Sequence, residues 1–361
     1  MAEKKVVTIP VTELVPGMVA ARDIYSKNDQ LLIGANNQFD ANSIAKVTFF
    51  DIMNVDIITD EGEVQKEQKT EKVFANDAER ETYEMFTGQY QNSISNIRES
   101  MIKLLEVGDL VNQNELTQNI EDIVTSTGNR YHVFDMLADI KDFDDETYNH
   151  SVNVSMICNV FGDWLGMSKQ EKDELTMCGL LADFGKLLIS KDILKKPGKL
   201  TDEEFAIVKS HPQKGYEFLK NKNVSENVKL SALQHHERCD GSGYPSHLRL
   251  NEINKYAAIV AIADVYDAMT STRVYREGFS PFRVVKLFEE EGRQQFNPTY
   301  LMPILTNLTE TYLRHEVLLS DGRKGTVVMI NRSELSRPIV MVDGAAVDLT
   351  KERSLSIEAV Y

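Results

Sequence analysis

The apolar positions change their period twice along the chain. Residues 5–60 hold short alternating runs (VVTIPV, QLLIG and NVDIIT) separated by turn signals such as VPGM. Alternation over so few residues predicts strands, hence a small α/β or β-rich unit at the start. The run EGEVQKEQKTEK (61–72) has almost no apolar content and reads as a linker or a solvated helix start. From about 76 to 127 the spacing becomes helical, as in SISNIRESMIKLLEV, and a bridging helical segment fits. The stretch from 131 to 310 is helical with legible starts. Ser168-Lys-Gln-Glu171 and Thr201-Asp-Glu-Glu204 both match the capping box, in which hydroxyl and carboxylate satisfy free amides reciprocally. Beyond about 311 period two returns. VLLSDGRKGTVVMI and RPIVMVDGAAVDL carry Asp-Gly turns at 321–322 and 343–344, which predict a small terminal β-barrel or sheet. The expectation is a mainly α protein in four parts: 1–60, 61–130, 131–310 and 311–361. The chain shows no internal repeat.

Composition narrows the function. At 361 residues the chain is long enough for two or three units. A formal charge of −16 argues against binding a nucleic-acid polymer or an anionic membrane, which need basic faces, but not against a small anion in a local pocket. Cys158, Cys178 and Cys239 have unrelated spacings, so neither a disulfide framework nor a zinc knuckle is expected; the first two lie among apolar residues and read as core. Met1 leads into AEKK rather than an apolar leader. YAAIVAIADVYDAM (256–269) is broken by Asp264 and Asp267 and is too short to span a bilayer. A cytoplasmic location is expected.

The residues able to hold metal are, in order, Glu146, His150, Asp183, His211, His235, His236 and Asp264. Glu146 and His150 are four apart and share a face if their segment is helical. His211 precedes Pro212, which biases it towards a helix-start loop. His235 and His236 are adjacent and on a regular helix would point about 100° apart. They serve one site only near a helix end or across a metal cluster, and Gly241 and Gly243 in HHERCDGSGYP supply such an end. Taken singly, each has an ordinary reading: Asp264 can pair with a buried Arg, and Glu146 can face solvent. Their concentration in one region, leaving His132, His247 and His315 as spectators, favours a metal site. Imidazole with carboxylate and no thiolate suits iron, manganese or zinc. Two such ions about 3.5–4 Å apart would clamp a phosphodiester and acidify a water. A second chemical signal is KLLISKDILKKPGK (186–199), whose lysines 186, 191, 195, 196 and 199 face one acid, Asp192, and could attract an anionic dinucleotide.

Residues 146–300 resemble the HD-GYP family of bacterial cyclic di-GMP phosphodiesterases, a branch of the HD superfamily. The motifs are HSVNV, DFGK, ILKKPGKLTDEE, KSHPQKGYEFL, HHERCDGSGYP, IVAIADVYDAMTSTRVYR and FNP. The segment with LVPGMVAARDI looks like the small N-terminal domain that often precedes this one. The resemblance implies an HD-superfamily helical bundle with two or three divalent transition-metal ions, iron or manganese. It places His150, Asp183, His211, His235, His236 and Asp264 on metal positions, with Asp183 bridging two ions and Glu146 where some members carry a further carboxylate. Asp183 and Lys186 then fall at the catalytic centre, with Lys186 towards the scissile phosphate. Gly243, Tyr244 and Pro245 shape the guanine pocket, and Arg273 and Arg276 fall where members meet the ligand; Asp267 either reaches the ligand too or packs against its own helix neighbours. The implied partner is cyclic di-GMP, with a homodimer or a protein signalling partner also compatible.

One position departs from the pattern. GLLADFGK (179–186) has Ala182 where the family has the histidine of its His-Asp pair. A methyl group offers no lone pair, so the expectation is a phosphodiesterase-type metalloprotein impaired, or trapped with substrate, by Ala182. The alternative is a degenerate cyclic di-GMP receptor that binds without hydrolysis.

Overall fold

The computed structural model describes residues 5–59, 77–108, 112–126, 132–139, 146–194, 196, 200–272 and 278–361. The run 61–72 lies outside them. The N-terminal strands are β1 (Lys5–Pro10), β2 (Val19–Ala20), β3 (Ile24–Tyr25), β4 (Leu31–Ile33) and β5 (Asn54–Thr59), with helix α1 (Ala41–Phe49) before the last. They form an antiparallel sheet in the order β1-β5-β2 and a separate β3–β4 hairpin. The pairing of Val7 with Ile57 and of Ile9 with Val55 sets apolar side chains on one face, against Ile44, Val47 and Phe49 of α1 in the same core. The expected α/β unit is therefore present.

The helical region begins with α2 (Asp77–Val107), α3 (Gln113–Ser126) and α4 (Val133–Asp139). It continues through α5 (Glu146–Trp164), α6 (Lys169–Leu181), a 3-10 turn at Phe184–Leu188, α7 (Lys191–Leu194) and α8 (Asp202–Lys209). Then come α9 (His211–Leu219), α10 (Glu226–Gln234), α11 (Lys255–Thr270), α12 (Pro281–Glu290), α13 (Gly292–Gln295) and α14 (Pro298–Thr311). Both expected capping boxes form: Glu171 N donates to Ser168 Oγ at 3.3 Å and Ser168 N to Glu171 Oε2 at 3.0 Å. In the second, Glu204 N reaches Thr201 Oγ1 at 3.2 Å and Thr201 N reaches Glu204 Oε2 at 2.7 Å.

Helix α11 is the axis of this region. Every residue from Tyr256 to Asp267 is buried, which identifies a helix surrounded by protein on all sides. Two carboxylates on such a helix must find partners, since an ionised group without them would neutralise. Cys158 and Cys178 are buried, as their apolar neighbours predicted.

The C-terminal strands β6 (Glu316–Leu319), β7 (Lys324–Met329), β8 (Ile339–Val342), β9 (Ala345–Asp348) and β10 (Ile357–Val360) make one antiparallel sheet. Its order, β10-β6-β7-β8-β9, leaves two edges, so the sheet alternative holds and not the barrel. The sheet is tied to α12: Ser280 Oγ donates to Ile357 O at 2.9 Å and Arg283 pairs with Glu358.

The N-terminal unit also sits against the helices. Phe49 packs edge-on to Phe288 at 5.3 Å and to Phe296 at 5.9 Å, and Lys46 Nζ meets Glu291 Oε1 at 2.7 Å. At the β3–β4 turn, Asn28 Nδ2 donates to Asp240 Oδ2 at 2.9 Å. Asp240 belongs to the HHERCDGSGYP loop.

Candidate metal centre

Five helices end or pass at one point. Helix α5 brings His150 from one side, and α11 brings Asp264 and Asp267 from the other. Asp183 follows the C-terminus of α6, where Ala182 is the last residue with helical dihedrals (φ −54°, ψ −49°). His211 opens α9, with Pro212 in its first turn, where a missing amide hydrogen costs nothing. His235 caps the C-terminus of α10, and His236 follows it. The adjacent histidines thus escape the divergence of a regular helix because the helix stops between them.

The close approach of these elements depends on glycine. A Cβ on Gly185 would lie 1.9 Å from the carbonyl oxygen of His211, so the turn after Asp183 can sit on α9 only without a side chain there. A Cβ on Gly243 would lie 2.3 Å from Arg238 N and 2.5 Å from His236 O. That contact lets Tyr244 N donate to His236 O at 3.1 Å.

Two groups of donors result, and both use Asp183. The first is Asp183, His211, His235 and His236, all buried; the second is His150, Asp183 and Asp264. In the first, Asp183 Oδ1 faces His211 Nε2 at 3.2 Å and His235 Nε2 at 3.5 Å, and the two Nε2 atoms are 3.3 Å apart. The tautomers follow from the other ring nitrogens. His211 Nδ1 lies 2.8 Å from Val208 O and His235 Nδ1 3.0 Å from Ser231 O. A carbonyl only accepts, so both Nδ1 atoms carry the hydrogen, and in the neutral ring form, which a metal ligand requires, both Nε2 atoms point lone pairs at the carboxylate. Asp183 Oδ1 and His236 Nδ1 are buried without a hydrogen-bond partner. Such orphans are costly in an apolar interior, and lone pairs converging from three or four sides are what a cation satisfies. The donor set fits a divalent transition metal.

In the second group His150 is held between carboxylates. Its Nδ1 donates to Asp267 Oδ2 at 2.7 Å, while Nε2 lies 2.9 Å from Asp264 Oδ1 and 3.3 Å from Asp183 Oδ2. Asp267 also accepts from Asn153 Nδ2 at 3.0 Å and Ser271 Oγ at 2.9 Å. Asp267 is 2% exposed. The sequence reading set it near the ligand; its place is behind His150, fixing the orientation of that ring. Lys186 Nζ completes the group, 2.6 Å from Asp183 Oδ2.

The ionisation states fit this charge pattern. Burial works against an ionised Asp183, yet the Lys186 ammonium and the hydrogen bond from His150 hold its carboxyl well below the ordinary value. Burial would lower the His150 pKa, but hydrogen bonds to Asp183, Asp264 and Asp267 outweigh it and raise the pKa well above the usual value. Burial lowers the pKa of His211, and for His236 burial with the neighbouring His235 and His211 lowers it strongly. The site thus offers imidazoles on one side of the shared Asp183 carboxylate and a cluster of aspartates around His150 on the other.

Other expected residues fall in different places. Glu146 opens α5, but its side chain lies outside the described residues, as do Arg273 and Arg276. In the lysine run, Lys195 and Lys199 also lie outside them, and Lys196 is committed to Glu204 at 2.6 Å. Tyr244 is buried and its ring stacks on His236, with centroids 4.7 Å apart and planes 17° apart. Sequence reasoning missed Glu237, whose buried carboxylate accepts from Ser246 N at 2.6 Å and Leu248 N at 2.9 Å, closing the loop around Gly243-Tyr244-Pro245. It also missed Lys27 and Lys209, whose ammonium groups lie over the Tyr244 ring at 4.7 and 4.8 Å. No local pattern marks either lysine; only the packing of distant segments brings them there.

This arrangement of buried histidines and aspartates on a helical bundle has relatives. Residues 133–300 match the HD domain family. The chain is similar to the cyclic di-GMP phosphodiesterase PA4108 of Pseudomonas aeruginosa, at 32% identity over 67% of this chain and 59% of that protein. It is similar to a cyclic di-GMP phosphodiesterase of Thermotoga maritima, at 35% identity over 51% of each chain. A third relative is the 3'3'-cGAMP-specific phosphodiesterase 2 of Vibrio cholerae, at 34% identity over 46% of this chain and 32% of that one. The chain therefore spans less than two thirds of the length of each. Among the described residues no helix is long and apolar enough to cross a membrane.

Proposed function

We propose that this chain is a cyclic di-GMP phosphodiesterase of the HD-GYP type whose turnover is impaired by Ala182. The observation that carries the reading is the pair of donor groups sharing Asp183, four donors in one and three in the other. The names of the similar proteins support the substrate class, and imidazole and carboxylate donors without thiolate are compatible with iron, manganese or zinc.

Each residue has a defined task. Asp183 would bridge two ions, with His211, His235 and His236 completing one shell and His150 and Asp264 contributing to the other. Bound divalent ions would neutralise the phosphodiester and acidify a water for attack on phosphorus. Lys186, already charged and fixed on Asp183, would add a cation to the transition state, where phosphoryl charge grows. Tyr244 would present its ring to a base, its position set by His236 and by the loop that Glu237 closes. Arg273 and Arg276 would engage phosphate in bidentate fashion. Ala182 directly precedes Asp183, the residue that both donor groups share.

The same residue favours a second reading, a receptor that binds cyclic di-GMP without cleaving it. One experiment addresses both. The purified chain is loaded with Fe²⁺ or Mn²⁺ and given cyclic di-GMP or 3'3'-cGAMP, with binding read by calorimetry and products by chromatography. Binding of cyclic di-GMP with slow hydrolysis supports the proposal, and binding with none supports the receptor. Neither binding nor hydrolysis overturns both.

A further inference from the structure

The wall of the site opposite the helices comes from the N-terminal unit. A pocket open to solvent lies between Ser26, Lys27 and Asp51 on one side and His236, Arg238 and Ser242 on the other. His236 is thus shared between this pocket and the four-donor group. The β3–β4 turn is pinned there by Asn28 on Asp240, and Gln30 Nε2 reaches Glu291 Oε2 at 3.2 Å.

Charge in the pocket is unbalanced. Lys27 and Lys209 lie over one tyrosine ring, and the charged groups around Lys27 are Asp51, Lys209, Arg238 and Asp240. Asp240 is already occupied, accepting from Asn28, Ser242 N at 2.9 Å and Ser242 Oγ at 2.6 Å. Among the described residues neither lysine ammonium forms an ion pair. A cation over a buried ring gains about 2 kcal/mol, but two beside the same ring repel each other. In a chain of charge −16, three cations against the two carboxylates Asp51 and Asp240 leave a local positive excess beside the donor cluster, which suits an anion between the lysines.

We propose that Lys27 belongs to the substrate pocket: with Lys209 it holds a phosphate of the cyclic dinucleotide beside Tyr244, while Arg238, whose guanidinium donates to the carbonyls of His235 and Glu237, adds its charge from the pocket wall. The N-terminal unit then contributes to ligand affinity as well as to packing. This rests on the function proposed above.

The test uses the full chain with metal bound. Lys27→Met keeps the aliphatic reach without the charge, and Lys27→Arg keeps the charge. Calorimetric titration with cyclic di-GMP should show affinity weakened roughly ten-fold or more in Lys27→Met, the scale of one charge-assisted hydrogen bond, and near parental in Lys27→Arg. Melting temperature and metal content should not change, which separates a ligand contact from a structural one. Affinity should also fall less steeply with salt in Lys27→Met. Parental affinity in Lys27→Met overturns the proposal, and so does tighter binding, which would make the turn a plug. If the unaltered chain binds no cyclic di-GMP, the functional reading itself fails and this proposal with it.

Discussion

The Nε2 atoms of His211 and His235 face each other at 3.3 Å, each with its partner nitrogen tied to a backbone carbonyl. Neutral rings so fixed can offer no hydrogen to each other or to Asp183, and the contact is repulsive until a cation enters. Added Mn²⁺, Fe²⁺ or Zn²⁺ should therefore raise the melting temperature and a chelator should lower it. At a free metal concentration 100 times Kd the gain would be about 2.7 kcal/mol. Asp183→Asn, which removes the carboxylate charge common to both groups, should abolish most of the response. No melting shift with any of the three metals, and no metal by elemental analysis, would rule the centre out.

Asp267 contacts His150 from behind rather than the metal side. Asp267→Asn should therefore weaken metal affinity ~10–100-fold, as loss of an orienting carboxylate commonly does. Affinity for cyclic di-GMP at saturating metal should change little. A large loss of ligand affinity with unchanged metal content would instead return Asp267 to the pocket.

Much of this centre was legible before folding, because its signals are local. The capping boxes at Ser168 and Thr201 depend on residues three apart. His211 starts a helix because Pro212 follows it, and His235 ends one because the loop with Gly241 and Gly243 follows. What could not be read was the contact of Lys27 with Tyr244, which joins residues 217 positions apart through the docking of the N-terminal unit. For the lysine run at 186–199, the sequence shows the charge but not that Lys196 pairs with Glu204 and Lys186 with Asp183. Asp267 was ambiguous since helical spacing gives a face, not the neighbour across it.

Gly185 tests how tightly the centre is built. An added methyl would meet the His211 carbonyl oxygen at 1.9 Å, and backbone on both sides leaves little room to yield. Gly185→Ala should cost about 3 kcal/mol or more, near the upper end of overpacking effects, and should also disturb metal binding through His211. Urea denaturation of the two metal-free proteins measures it. A loss under about 1 kcal/mol would mean that the turn after Asp183 can shift freely.

His315 lies away from the centre and offers a pH test. Its Nε2 lies 3.3 Å from Asp135 Oδ2, joining the end of α14 to α4, and that hydrogen bond raises its pKa despite partial burial. A folded pKa above the unfolded value means that the folded state holds the proton more tightly. The stabilisation is fully present below the unfolded value of about 6.5 and is lost as pH rises through the folded pKa. His315→Gln should lower stability at pH 6 and have little effect at pH 9. Denaturant midpoints across that range are the measurement, and an equal loss at both ends would assign His315 a packing role only.

The proposed impairment of turnover rests on Ala182. Its backbone is helical, so a histidine there needs no change of conformation, but the position is only 4% exposed. A larger side chain in a packed site ordinarily costs about 1–3 kcal/mol. Ala182→His should avoid much of that if its imidazole becomes the fourth donor beside His150, Asp183 and Asp264. Ala182→Leu, of comparable bulk and without a lone pair, should suffer the cost alone. The expected result is higher metal stoichiometry and at least ~10²-fold faster cyclic di-GMP hydrolysis for the histidine variant only, on the scale of ligand-shell effects. Chromatographic product formation with iron or manganese supplied, all three proteins side by side, decides it. Equal inactivity of the alanine and histidine forms at full metal loading would establish a receptor whose chemistry was lost elsewhere. Equal, fast turnover would show that three donors suffice and that Ala182 is harmless.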